Sequence, residues 1–110
     1  MTPVETLRKY VTSLVDLNIS LIKINPKRKL APDFEKQDTD YKESLTTINN
    51  LPQITAHMIA ITNLVETSIQ INTQDGYTPQ TTVLLNTWHL KNDNLLTEVE
   101  TVYKIKLPKV

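Results

Sequence analysis

Residues 51–71 read LPQITAHMIAITNLVETSIQI. Ile54, Met58, Ile61, Val65 and Ile69 return every three or four positions, which at about 100° per residue puts them on one face of a helix. Thr55, Asn63, Glu66, Thr67 and Gln70 fall on the other face. A helix of roughly 20 residues with such a stripe is marginal alone in water, so the remaining segments must cover it.

Three flanking segments carry the same period. Thr2-Pro3-Val4-Glu5 offers a cap, a proline suited to the first helical turn and an acid placed to close a capping box. From there Val4, Val11 and Asn18 alternate with Leu7, Leu14 and Leu21 through three heptads, a pattern shared with two-stranded coiled coils. The flanks differ from such a coil, because Val15, Leu17, Ile22 and Ile24 are apolar where it would carry charge. That width favours a helix surrounded by neighbours of its own chain over a homodimer seam. Pro26 ends the element, since the residue before a proline is pushed out of helical geometry.

The connection over 26–32, PKRKLAP, holds the basic cluster Lys27, Arg28 and Lys29. Asp33 then caps a second helix through about Asn49. Its stripe of Phe34, Tyr41, Leu45 and Ile48 is thin and the rest is salt-rich, so it reads as a peripheral helix with one wet face. Asn50 and Pro52 start the central helix, and a link this short predicts that the second and third helices are antiparallel neighbours. Asp75-Gly76, with the only glycine of the chain, is a turn. Thr78-Pro79 opens the last helix as Thr2-Pro3 opens the first. Leu85, Trp88, Asn92, Leu95, Val99 and Val102 keep one phase to about Ile105, as one helix or as two broken near Asn92–Asn94.

The fold expected is therefore all-α, an up-down-up-down four-helix bundle forming a single domain over 1–110. The alternative is an α+β fold pairing strands at 18–25, NISLIKIN, and 103–107, both of which alternate with period two. Asn18 and Asn92 fall on apolar stripes, where they either bond each other across neighbouring helices or mark local breaks.

Composition narrows function mostly by exclusion. Twelve basic and twelve acidic residues give zero formal charge, without the broad basic footprint of a dedicated nucleic-acid binder. No cysteine means no disulfide, thiolate metal site or cysteine nucleophile. One glycine cannot build a phosphate-cradling loop. A di-iron bundle site needs Glu three residues before His, whereas Ile54 precedes His57 and Asn86 precedes His89. Two histidines so far apart are too few for zinc. His57, at the border of the apolar face, reads as a core-edge histidine. We therefore expect no catalytic residues, no metal and no cofactor. With no leader pattern and no apolar run of membrane-spanning length, the expected setting is cytoplasmic, soluble and off the membrane.

These readings lead to a non-enzymatic protein that binds another protein or itself, as an accessory, assembly or inhibitor-type subunit. Its candidate contact residues are Leu17, Ile22, Ile24 and Trp88 with Lys27, Arg28 and Lys29, and Trp88 reads as core unless the bundle leaves it uncovered. The alternative is a nucleic-acid-associated subunit touching phosphates through the Lys23–Lys29 cluster.

Overall fold

The computed structural model describes residues 3–25 and 34–104, which form four helices: α1 Pro3–Lys23, α2 Phe34–Thr47, α3 Leu51–Gln74 and α4 Thr78–Tyr103. There is no strand among the described residues. The strand alternative fails at its first half, because 18–23 complete α1; β-branched residues did not override a helical stripe with partners on several sides. Tyr103 is the last residue of α4, and 105–107 lie outside the described residues, as do the expected caps Thr2 and Asp33.

α1 is the hub. Leu7, Tyr10, Val11, Leu14, Val15, Leu17 and Leu21 are all buried, so its heptad positions and its flanks are used inside the chain. α3 contributes Ile54, Met58, Ile61 and Val65, α4 contributes Trp88, Leu96 and Val99, and α2 contributes Leu45. The stripe of α3 packs as its period demands, but the helix at the centre is α1.

Cross-helix bonds set the directions. Ser68 donates to Asn18 (2.7 Å) and, one turn on, Asn72 donates to the Leu21 carbonyl (2.8 Å), so α1 and α3 run parallel. Arg8 bonds the carbonyl of Leu45 while Asp16 meets Lys42, so α2 runs antiparallel to α1. Trp88 faces Ser13 while Leu84 lines a cleft with Leu17 and Ser20, so α4 is antiparallel as well. The helices alternate up, down, up, down. Their adjacency is less regular: α1 packs most extensively on parallel α3 and next on α4, while α2 packs along α1. The short link did not make α2 and α3 close neighbours, because the end of α2 is held by Arg8 on α1.

Local signals explain the ends. Asn50 has extended backbone and accepts from the Gln53 amide at 3.4 Å, capping α3. α3 closes with amides of Asp75, Gly76 and Tyr77 returning to the carbonyls of Ile71, Thr73 and Asn72. Gly76 sits at φ +86, the left-handed region that favours glycine. α4 starts at Thr78 itself, with Tyr77 at the cap position and no side-chain cap, so Thr78 does not serve as Asn50 does. α4 is unbroken. Asn92 bonds back to the Trp88 carbonyl at 2.8 Å, which satisfies the amide within the helix. The Asn18–Asn92 pair is therefore not formed: Asn18 meets Ser68 of α3 instead.

Candidate interaction surface

The outer face of α4 carries a second periodic stripe. Gln80, Val83, Thr87, Leu90, Asn94, Thr97 and Thr101 follow one another at alternating steps of three and four, and all are exposed and uncharged. Leu90 is 87% exposed and Val83 66%, the two most exposed large hydrophobics among the described residues. The hydroxyls of Thr87 and Thr101 bond back to the carbonyls of Val83 and Thr97.

Two shallow grooves adjoin this face. One, of about 450 Å³, is lined by Pro79, Gln80, Val83, Leu84 and Thr87. The other, of about 310 Å³, lies between α1 and α4 and shares Leu84 and Thr87 with the first. Leu17, Leu84 and Trp88 give it apolar walls, and Asp16 and Lys91 give it charged ones. The hydroxyls of Ser13 and Ser20 return to the Lys9 and Asp16 carbonyls, so the cleft offers few uncommitted polar groups. Such a surface can bury apolar area against a partner; burying Val83 and Leu90 would each contribute about 2 kcal/mol. α3 adds a second uncharged exposed face through Ala56, Ile59, Ala60 and Leu64.

Of the residues singled out from the sequence, Leu17 and Trp88 wall the groove between α1 and α4, and none lies on the outer stripe of α4. Leu17 (2% exposed) and Trp88 (8%) are in the core, and Ile22 and Ile24 are half-buried. The Trp88 indole donates to the Ser13 carbonyl at 3.0 Å, and its ring lies 6.0 Å from that of Tyr10. Lys27, Arg28 and Lys29 lie outside the described residues, so the structure does not relate them to these four. The α4 stripe is not legible in residue order, because Gln80, Thr87, Asn94, Thr97 and Thr101 are polar and only Val83 and Leu90 on it are apolar.

Two polar features are built into the core. At the shared end of α1 and α3, the buried Asn25 amide donates to Asn72 Oδ1 (3.0 Å) and to Asp75 Oδ2 (2.8 Å). Tyr10 is buried with its hydroxyl unpartnered. Burial, and then the negative charges of Glu100 and Asp93, push its pKa up to about 12. His57 is half-buried at the edge of the α3 stripe. His89 and Asp93 lie 3.1 Å apart on the exposed side of α4. Among the described residues no cluster of three His, Asp or Glu side chains is placed to hold a metal, and no described helix is long and apolar enough to cross a membrane.

The fold defines a small all-α bundle with an uncharged outer helix face. No protein family, curated protein or solved structure matches the chain.

Proposed function

We propose that the protein works by binding another protein or a second copy of itself, as a non-catalytic accessory, assembly or inhibitor-type subunit, and that the outer face of α4 makes the contact. The observation that carries this reading is the charge-free stripe that leaves Leu90 and Val83 in water on one helix face, continuous with the groove at Pro79–Thr87. Zero formal net charge leaves such association unopposed by long-range repulsion.

Light scattering across a concentration series tests the self-association form directly. The mass rises with concentration in the natural protein and stays monomeric in Val83→Asp/Leu90→Asp, which should leave the fold intact because both side chains are exposed. A rise that persists in the double variant removes α4 as the contact. A monomer that binds single- or double-stranded nucleic acid with a steep salt slope, lost when Lys27, Arg28 and Lys29 become Ala, would replace the reading with the phosphate-contacting alternative.

A further inference from the structure

We infer, on the reading that the outer face of α4 makes the contact, that its occupant is a second copy of this chain, with its own α4 antiparallel across a two-fold axis. The stripe from Gln80 to Thr101 steps by three and four, the spacing of a coiled-coil seam. Along that seam the knob and the hole are different places. Leu90 stands 87% exposed, and the groove of Pro79, Gln80, Val83, Leu84 and Thr87 lies one to three turns earlier on the helix. In a two-fold dimer the patch that each copy offers must also fit itself. Parallel helices would set Leu90 against the partner's Leu90 and leave groove against groove. Antiparallel helices with Thr87 beside the partner's Leu90 set each Leu90 at the mouth of the other copy's groove.

The residues beside the seam select the same arrangement. Leu84, Lys91 and Glu98 stand on one flank, and Pro79, Asn86, Asp93 and Glu100 on the other. With Thr87 beside the partner's Leu90, six of the seven stripe residues are paired, Val83 with the partner's Asn94 and Gln80 with the partner's Thr97. Asn86 then faces the partner's Asp93, and Leu84 the partner's Lys91, with no like charges opposed on either flank. Sliding the helices by one heptad to bring Thr101 into the seam opposes Lys91 to the partner's Lys91 and Asp93 to the partner's Asp93. Sliding them the other way leaves only four stripe residues paired. Parallel pairing in register opposes Asp93 to the partner's Glu98 twice. Like charges set against each other are what exclude wrong partners and wrong registers.

The seam from Gln80 to Thr97 is about 26 Å long at 1.5 Å per residue. Val83 and Leu90 are its only large apolar side chains, which places the dimer among small, reversible interfaces. Asn94, at an interior layer, is the kind of residue that fixes register at a cost in strength.

Two measurements on the full chain test this. Asn86 is exposed, so Asn86→Lys and Asn86→Glu should leave the fold alone while changing what faces the partner's Asp93. In sedimentation equilibrium Asn86→Lys tightens the dimer about fivefold, from one new charge pair in each half, and Asn86→Glu weakens it as much. In the parallel pairing Asn86 faces the partner's Lys91 instead, so reversed signs would overturn the proposal, as would two unchanged dissociation constants. The chain has no cysteine, so a nitroxide on Thr101→Cys marks a single position. Mixed with an isotope-enriched natural chain, it broadens the other copy's amides over 76–82 and leaves those over 98–104 sharp. Broadening over 98–104 would sink the antiparallel direction while α4 remained the contact, and broadening confined to α3 would remove both. A natural chain that stays monomeric at millimolar concentration would refute the second copy as occupant and leave the binding of another protein standing.

Discussion

Asn72→Ala should be among the most damaging single changes outside the apolar core. Asn72 is fully buried, and its amide donates to the Leu21 carbonyl near the end of α1. That carbonyl sits where the α1 ladder runs out: the Asn25 amide, four residues on, bonds Ile22 instead. Removing the side chain leaves a carbonyl in the interior with no donor, at a cost of about 1–3 kcal/mol. It also strips a side-chain acceptor from the buried Asn25 amide and leaves a small void worth about 1 kcal/mol. The total is near 3 kcal/mol, a large share of the roughly 5–15 kcal/mol expected for a domain. At about 4 °C per kcal/mol for a chain of this size, the midpoint falls by about 12 °C. Thermal and urea unfolding followed by helical circular dichroism measure both. The isosteric Asn72→Asp should be worse at neutral pH, because it turns the donor into a buried negative charge sharing Asn25 with Asp75. Part of that loss should return as the pH falls toward about 4 and the carboxyl is protonated. A loss below about 1 kcal/mol for Asn72→Ala, or an Asp variant as stable as the Ala one at every pH, would refute the claim that these amides fasten α1 to α3.

Two further outcomes follow from single groups. Tyr10→Phe removes a buried hydroxyl that has no partner and should raise stability by about 1 kcal/mol at pH 7. Because the folded pKa is raised, the neutral phenol contributes stability that is fully present below the ordinary value of 10 and is lost as the pH climbs toward 12, so the natural protein should lose about 3 kcal/mol over that interval from this group and Tyr10→Phe should not; equal alkaline limbs in urea titrations would contradict it. Gly76→Ala meets no atom within 4 Å of the new Cβ, so its cost is the left-handed backbone alone, about 1–2 kcal/mol, and Gly76→Asn should recover part of it; a cost near zero would mean the turn relaxes to another conformation.

Much of the fold was legible in residue order. A stripe that returns every three to four positions can be buried only by a helix, so Ile54–Val65 and Leu7–Leu21 committed their segments to that form whatever lay around them. The same logic made α2 peripheral, since salt-rich positions outnumber its apolar ones. The width of α1 was visible too: Val15 and Leu17 beside the heptad required neighbours on several sides, and both are buried. Order could not say which neighbours. Period is a property of one helix and carries no address, so nothing local distinguished Ser68 from Asn92 as the partner of Asn18, or told that Asn25 would reach across to Asn72. Such pairings depend on which helices lie side by side and at what height, and that arises when all four stripes are buried together. The outer face of α4 was hidden for a related reason. Whether Leu90 is core or surface depends on how the helix is turned about its axis, which the largest buried groups, Trp88 and Val99 among them, settle in packing.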